Sequence, residues 1–248
     1  MSFFRKAAFH VTVASLNDLP GDSIAEIAFA GRSNAGKSSA INTLAGHTRL
    51  AFVSKTPGRT QHLNYFSLGE GKFFVDLPGY GFAKAPVEIR SQWENLLEPY
   101  LLHRSPLMGL VLIMDSRHPL TELDMRMIDW FSQTGKPIHI LLSKADKLTR
   151  QEQAQSVRRV KSELKKLGDT CSVQLFSSLK HTGIQEAEIV LGKWLGIEPE
   201  ERPRKEVAGV STTGKMALPR KRGAMGWSAR VAGKAKPPPS KQKPPVKG

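Results

Sequence analysis

The octapeptide GRSNAGKS at residues 31–38 restricts the possible folds of this chain more than any other stretch. It fits the pattern G-x-x-x-x-G-K-[S/T], and it lies between a strand-like run, SIAEIAFAG, and a helix-like run, KSSAINTLAG. Glycines in such a loop let backbone N–H groups turn towards phosphates, and the helix N-terminus that follows adds positive potential. The sequence therefore predicts a phosphate-binding loop in which Lys37 bridges the β- and γ-phosphates and Ser38 ligates magnesium.

Strand-like and helix-like runs alternate along most of the chain. Apolar runs such as GLVLIMD and PIHILLS are typical of parallel strands that are buried on both faces. The run HLNYFSLGEGKFFVDLPG predicts a hairpin that supplies one antiparallel edge strand. We predict an α/β fold with three layers, α/β/α, around a six-stranded and mostly parallel sheet. Ligands of such sheets bind beyond the carboxyl ends of the strands.

The positive charge of the chain is concentrated near its C-terminus. The net charge is +15, and residues 202–248 contain 13 Lys or Arg against a single acidic residue, Glu206. This segment is rich in Pro, Gly and Ser and shows no hydrophobic periodicity, so burial cannot offset the entropy lost on ordering it. We predict an N-terminal extension at residues 1–22, a nucleotide-binding domain at residues 23–198 and a basic, disordered tail at residues 199–248.

The composition disfavours membrane and secreted proteins. No apolar run reaches 18 residues, and the N-terminus lacks a long apolar segment with a cleavage site. We therefore expect a cytoplasmic protein without stable membrane insertion. The single cysteine, Cys171, cannot form an internal disulfide, and we expect it to be a small buried apolar residue. A monomer is the default expectation for the oligomeric state.

The stretch DLPG at residues 76–79 follows the second strand of the predicted hairpin. An Asp-x-x-Gly motif at this place is typical of the magnesium side of a nucleotide triphosphatase. Asp76 is therefore predicted to hold magnesium through water, and the Gly79 N–H to sense the γ-phosphate. Ras-type GTPases follow this glycine with a glutamine that orients the attacking water, but here Tyr80 follows. The protein either binds nucleotide without hydrolysing it or hydrolyses it by another route.

The stretch SKAD at residues 143–146 follows another buried strand and indicates the base. In GTPases the aspartate of [N/T]-K-x-D faces the N1 and N2 donors of guanine. Adenine has no such pair of donors, so Asp146 favours GTP over ATP. Lys144 is expected to pack its stem along the base, and Ser143 replaces the usual Asn or Thr but keeps a hydroxyl. The stretch FSS at residues 176–178 is expected to contact guanine O6.

The loop SKTPGRTQ at residues 54–61 lies where a switch threonine closes on magnesium when the γ-phosphate is present. Thr56 and Thr60 both qualify, and the spacing before the hairpin favours Thr60. Asn34 occupies the place where potassium-activated GTPases coordinate a monovalent cation. One hypothesis is that a potassium ion does the charge work of an arginine finger there. The alternative is that Asn34 only stabilises the turn of the loop.

The candidate site can be stated residue by residue. The candidate catalytic residues are Lys37, Thr60 and Asn34, the last as a potassium ligand. The candidate ligands of Mg²⁺ are Ser38, Thr60 and, through water, Asp76. The predicted nucleotide-binding residues are Gly31, Arg32, Ser33, Asn34, Ala35, Gly36, Lys37, Ser38, Gly58, Arg59, Thr60, Gln61, His62, Asp76, Leu77, Pro78, Gly79, Ser143, Lys144, Ala145, Asp146, Phe176, Ser177 and Ser178.

The motifs GRSNAGKSS, SKTPGRTQ, VDLPGYG, MDSRHPL, SKADKL and FSSLK together resemble those of the EngB (YihA/YsxC) GTPases, which belong to the TRAFAC class. The likeness runs from about residue 9 to residue 194 and does not cover the basic tail. It implies a Ras-like P-loop fold, binding of GTP and magnesium, a role in maturing the large ribosomal subunit and a requirement for normal septation and cell division. It also selects Thr60 over Thr56.

Three functions follow from these features. The first is a GTPase switch that hydrolyses GTP slowly, on the order of 10⁻⁴–10⁻³ s⁻¹, and binds a ribosomal precursor. The second is a GTP-sensing binding module whose hydrolysis is incidental, and the third is an ATP-dependent enzyme, which Asp146 disfavours. The tail is expected either to contact rRNA or to be solvated without a specific partner. Tyr80 and Phe82 are expected either to anchor a partner or to pack against the next helix.

Overall fold

The computed structural model describes residues 3–51, 62–80 and 93–197. The strands in these ranges are β1 (Ala8–Val13), β2 (Ala25–Gly31), β3 (Leu63–Gly69), β4 (Lys72–Asp76), β5 (Leu107–Asp115), β6 (Ile138–Ser143) and β7 (Cys171–Leu175). The α-helices are α1 (Lys37–Ala45), α2 (Glu98–His103), α3 (Glu122–Ser132), α4 (Arg150–Leu164) and α5 (Ile184–Trp194). A π-helical turn at Trp93–Leu97 leads directly into α2.

The strands form one sheet in the order β1-β3-β4-β2-β5-β6-β7. β2 pairs in parallel with β4 and β5, and parallel pairing continues through β6 to β7. β3 runs antiparallel to both of its neighbours, β1 and β4. The predicted α/β fold with a mostly parallel sheet is confirmed, and so is the hairpin of β3 and β4.

Two details of the predicted sheet are wrong. Seven strands, not six, occur in the described residues, and the antiparallel strand β3 does not lie at the edge. The additional strand, β1, lies within the predicted N-terminal extension and covers the outer side of β3. Within β1 Val13 is the one buried residue, and Phe9 is 58% exposed. Because AFHVTV has neither an apolar run nor strict alternation, the hydrophobic pattern does not reveal this strand.

Helices cover both faces of the sheet, which gives the three predicted layers. On one face, α1 and α5 contribute Ile41 and Leu191 to the core. On the other face, α2, α3 and α4 contribute Tyr100, Ile128 and Val160. None of the helices in the described ranges is long and apolar enough to cross a bilayer. Since both faces are covered, the loops at the ends of the strands are left for binding.

The bounds of several helices follow from their terminal residues. Gly46 ends α1 in the left-handed conformation, with φ 67°, and its N–H bonds back to carbonyls of the helix. Helices α3 and α4 each begin with a capping box, formed by Thr121 with Asp124 and by Thr149 with Glu152. In each box the hydroxyl accepts from a backbone N–H and the carboxylate accepts from the threonine, so the first turn is satisfied locally.

A buried polar cluster around Glu26 lies at the amino end of the sheet. Glu26 is fully buried and accepts from the hydroxyls of Tyr65 (3.2 Å) and Tyr100 (2.9 Å). Nε and Nη2 of Arg104 donate to its other oxygen at 2.9 and 2.7 Å. Burial raises the pKa of Tyr100 well above its usual range, and the Glu26 carboxylate raises it further. The cluster ties β2 to β3 and α2.

His139, near the start of β6, is a second buried polar group at this end. Its Nδ1 lies 2.8 Å from Oγ of Ser172, and its Nε2 lies 2.9 Å from Oε1 of Gln174. The Gln174 amide donates to the carbonyl of Gly183, so its Oε1 faces the ring and accepts from Nε2–H. Burial lowers the pKa of His139 to about 4, although the bond to Gln174 opposes this. The ring is therefore neutral at pH 7.

Candidate nucleotide-binding site

The predicted phosphate-binding loop joins the end of β2 to the start of α1. A Cβ added at Gly31 would lie 2.8 Å from the carbonyl oxygen of Ile113 in β5, so this position requires glycine. Asn34 and Gly36 adopt positive φ, 63° and 103°, a region that asparagine tolerates and glycine adopts freely. The loop therefore has the location and the turns that the motif predicts, while its contacts with nucleotide stay a prediction.

Lys37, the first residue of α1, lies against Asp76, the last residue of β4. Both are buried, and the ammonium of Lys37 donates to Oδ1 of Asp76. The neighbouring strands bring them together, since Phe29 of β2 pairs with Asp76 in the ladder. Burial raises the pKa of Asp76, and the charge of Lys37 opposes this. Two predicted site residues that are 39 positions apart thus meet at one edge of the sheet.

The donors at this edge fit a magnesium ion. Ser38 directly follows Lys37, and its hydroxyl and the Asp76 carboxylate are the hard oxygen ligands that magnesium prefers. In the part of the chain that the structure describes, no group of three or more His, Cys, Asp or Glu could hold a metal. This agrees with a magnesium ion that takes most of its ligands from phosphates and water.

The end of β6 is fastened to the phosphate-binding loop. The hydroxyl of Ser143 donates to the carbonyl of Ala35, and Nζ of Lys144 donates to the carbonyl of Asn34 at 2.7 Å. Lys144 adopts a positive φ of 56°, and its Nζ also donates to Oδ2 of Asp115 at 2.9 Å. The hydroxyl that the sequence keeps at position 143 therefore has a structural role, since it holds the SKAD segment on the loop.

Asp146 and the FSS segment form one corner of the site. Oδ1 of Asp146 accepts from the hydroxyl of Ser177 at 2.6 Å, and the Asp146 side chain is 7% exposed. The N–H of Phe176 donates to the carbonyl of Leu142, and the N–H of Ala145 donates to the carbonyl of Phe176. These bonds bring together the two segments that were predicted to read the base. Asp146 keeps its other oxygen for a further donor.

The site predicted from the sequence does not include Asp115 and Arg117. Asp115 ends β5, and Nε and Nη2 of Arg117 donate to its two oxygens at 2.9 and 2.6 Å. Burial would raise the pKa of Asp115, but hydrogen bonds from Arg117 and Lys144 outweigh this and hold it well below its usual range. Asp115 therefore orients Lys144. Its position at the carboxyl end of a buried strand, like that of Asp76, was a usable signal.

Tyr80, which stands in place of the glutamine, is buried. It is 7% exposed and packs into the core on the face covered by α2, α3 and α4. Its hydroxyl donates to Oδ1 of Asp124 in α3 at 2.9 Å. In the backbone, the N–H of Ser33 donates to the carbonyl of Tyr80, and the N–H of Tyr80 donates to that of Gly31. Tyr80 is thus a packing residue, although it packs on α3 rather than on the next helix.

Several predicted residues lie outside the described ranges. They are Gly58, Arg59, Thr60 and Gln61, together with the alternative Thr56 and the aromatic Phe82. His62 is half-buried at the start of the second described range, directly before β3. Leu77, Pro78 and Gly79 connect β4 to Tyr80, and the N–H of Leu77 donates to the carbonyl of Phe29. The roles of all these residues in binding stay predictions.

A phosphate-binding loop, a buried Lys–Asp pair and an aspartate of the guanine-reading type meet at one edge of a mostly parallel sheet. Together they define a P-loop GTPase. The family model described as "50S ribosome-binding GTPase" matches residues 26–144. The chain belongs to the EngB family of GTP-binding proteins, as its similarity to curated relatives shows.

The chain is 67% identical over 207 residues to the probable GTP-binding protein EngB of Dechloromonas aromatica (strain RCB), which covers 83% of this chain and 94% of the relative. It is 61% identical over 196 residues to the probable GTP-binding protein EngB of Neisseria gonorrhoeae, with 78% and 93% covered. A crystal structure of a probable GTP-binding protein engB matches with a TM-score of 0.56 at 19% identity, covering 69% of this chain and 99% of that one. Aquifex aeolicus Era bound to GDP and AlF4⁻ matches with the same TM-score and identity, covering 72% and 58%. These structural matches support the fold.

Proposed function

We propose that this protein is a GTP-operated switch that binds precursors of the large ribosomal subunit in its GTP form and leaves after slow hydrolysis. It acts in the cytoplasm as a monomer, and normal septation and cell division depend on it. The observation that carries the nucleotide assignment is the corner formed by Asp146 and Ser177 on the same sheet edge as the phosphate-binding loop. The ribosomal assignment is supported by the description of the matching family model.

Guanine specificity comes from Asp146 in this proposal. Oδ1 of Asp146 is held by Ser177, so the carboxylate has a fixed orientation and its second oxygen is available to guanine N1 and N2. Lys144 is held over the loop by Asn34 and Asp115 and packs along the base. Replacement of Asp146 by Asn is expected to change the preference from guanine to xanthine nucleotides, since the amide donates where the carboxylate accepts.

The phosphates and magnesium bind beside Lys37 and Asp76. On binding, the ammonium of Lys37 exchanges its bond to Asp76 for bonds to phosphate oxygens, and Asp76 is released to serve the ion through water. Magnesium, when bound, neutralises phosphate charge, and the hydroxyls of Ser38 and Thr60 supply its protein ligands. The requirement for a glycine at position 79 fits a close approach of phosphate to its N–H, because its φ is not positive and the described residues leave ordinary room for a Cβ there, 3.6 Å from the Ser33 nitrogen.

Slow hydrolysis follows from the position of Tyr80. Its hydroxyl is bonded to Asp124 in the core, so it does not orient a water at the γ-phosphate. A partner or an ion must then supply what glutamine supplies in Ras-type proteins. Asn34 is exposed on the loop and is the candidate potassium ligand, while its positive φ supports the alternative role in the turn. Equal GTP turnover in potassium and sodium at matched ionic strength would exclude the potassium ligand.

The basic tail supplies a second contact with the precursor in this proposal. Its 13 Lys or Arg within residues 202–248 favour an rRNA backbone, and such binding weakens steeply with salt because counterions are released. Removal of residues 203–248 is expected to reduce both the affinity for precursor particles and its dependence on salt. An unchanged affinity would show that the tail is solvated without a specific partner.

The first experiment measures GTP hydrolysis in potassium buffer with and without precursor large-subunit particles. Strong stimulation is expected, and it would identify the particle as the partner that completes the site. The buried Tyr80 favours a second function, a GTP-sensing module whose hydrolysis is incidental. Nucleotide-dependent binding to the particle with flat, negligible turnover would support that second function. Preferential binding of ATP over GTP in competition would exclude both.

A further inference from the structure

Tyr80 connects two regions that are distant in sequence, the phosphate-binding loop and the start of α3. Its backbone bonds to Gly31 and Ser33 of the loop, and its side chain reaches Asp124, which lies 44 positions further along the chain. The ring is embedded in the core between these two attachments. Such a residue cannot shift without breaking a loop contact, a helix contact or core packing.

Asp124 is a rigid partner for this hydroxyl. It is 2% exposed, and its Oδ2 accepts from the N–H and the hydroxyl of Thr121 at 3.0 and 2.7 Å, which leaves Oδ1 for Tyr80. Thr149 and Glu152 form the same capping box on α4, but that box lies on the surface. Capping alone therefore does not require a buried carboxylate. The buried position of Asp124 serves the contact with Tyr80.

Gly79 precedes Tyr80 by one peptide bond and lies against the loop, beside the backbone of Ser33 and Gly31. We propose that Tyr80 is a positioning residue, which holds the N–H of Gly79 in place for the γ-phosphate by fastening the DLPG segment to α3 through Asp124. This inference rests on the proposed function, in which that N–H contacts the γ-phosphate. Because GDP lacks the γ-phosphate, the contact with α3 stabilises the GTP complex selectively.

Tyr80→Phe removes the hydroxyl and keeps the ring. The test measures the dissociation constants of GDP and of a non-hydrolysable GTP analogue for the full chain with magnesium. The analogue is expected to bind about tenfold more weakly to the variant, within the usual range of coupling between sites. The affinity for GDP is expected to change by less than about twofold, since no contact with GDP depends on Gly79 in this scheme.

Tyr100→Phe is a matched control. The Tyr100 hydroxyl also donates to a buried carboxylate at 2.9 Å, but that carboxylate, Glu26, lies at the amino end of the sheet. This variant is expected to lose stability and to keep the ratio of the two affinities. If Tyr80→Phe weakens both nucleotides equally, or neither, or if Tyr100→Phe changes the ratio as strongly, the inference is overturned.

Asp124→Asn tests the other half of the contact without altering Tyr80. It is expected to change the ratio of affinities in the same direction, and the double variant with Tyr80→Phe to add little, because both changes remove one contact. Fully additive effects would overturn the inference. Failure of the unaltered protein to bind the GTP analogue would instead overturn the proposed function, so the two failures are distinguishable.

Discussion

The two ends of the parallel strands use buried charge in different ways. At the amino end, the Glu26 carboxylate accepts four hydrogen bonds, from Tyr65, Tyr100 and Arg104. At the carboxyl end, Asp76 accepts from Lys37 alone among the described residues. A carboxylate with a full set of donors is fixed in place. A single carboxylate–ammonium contact leaves capacity on both partners and can exchange for phosphate oxygens and a metal ion.

Backbone conformation separates the two ends in the same way. Asn34, Gly36 and Lys144, which all have positive φ, lie at the carboxyl end, where their segments approach one another. Residues in this region of φ are unusual unless a turn or a function requires them. The comparison indicates that the amino end stabilises the fold and the carboxyl end binds the ligand. Variants at each end test this division.

The largest expected effect is that of Lys37→Ala. Loss of its ammonium removes a charge that stabilises the transferred phosphate, so GTP turnover is expected to fall about 100- to 1,000-fold. Stability is expected to change less, because the buried Asp76 can take up a proton. Lys136→Ala is the control, since Nζ of Lys136 donates to the carbonyl of Arg104 at the other end. Equal loss of turnover in both variants, measured by phosphate release, would contradict the division.

Arg104→Met is expected to give the opposite result. It leaves the fully buried Glu26 carboxylate without its counter-charge, which typically costs about 3–5 kcal/mol in the free energy of unfolding. Urea denaturation measures this loss. At temperatures where the variant is folded, its affinity for GTP is expected to equal that of the unaltered protein. A reduced affinity would mean that the amino end also shapes the site.

His139 gives the amino end a dependence on pH. The ordinary pKa of histidine, 6.5, is lowered in the fold to about 4 by burial, so between these values the unfolded chain binds a proton that the folded chain does not. Stability is therefore expected to fall by about 2 kcal/mol as the pH drops from 7 to 5. Urea denaturation of the unaltered protein and of His139→Gln at both pH values measures the difference. An equal decrease in both would assign the effect to other groups.

The smallest effect is expected from the helix caps. Thr121→Ala and Thr149→Ala each remove the hydroxyl of a capping box and should each cost about 1 kcal/mol of stability. Asp124 also holds Tyr80, so Thr121→Ala should in addition weaken binding of a GTP analogue, whereas Thr149→Ala should not. Thermal unfolding and titration with the analogue measure the two quantities. An identical effect of both variants on the analogue would separate α3 from the site.

The sequence predicted those parts of the fold and the site that depend on local pattern. The phosphate-binding loop, the hairpin of β3 and β4 and the SKAD segment each carry their own signature of glycines, alternation or spacing. The contacts of Tyr80 with Asp124 and of Asp115 with Lys144 join residues 44 and 29 positions apart. No local pattern encodes such a pair. Strand β1 was missed for a related reason, because its place is decided by β3 and not by its own residues.

The position of β1 in the sheet also sets an order of folding. Thr12 donates to Asn64 of β3 at 2.8 Å, and the two residues are 52 positions apart. Strand β1 is synthesised before its partner, so it stays unpaired until the chain has grown through β3, and closing so long a loop costs entropy before any contact forms. Until then the outer side of β3 is an open edge, of the kind that pairs with other chains. The early residues of the chain thus complete the sheet late and protect it from aggregation.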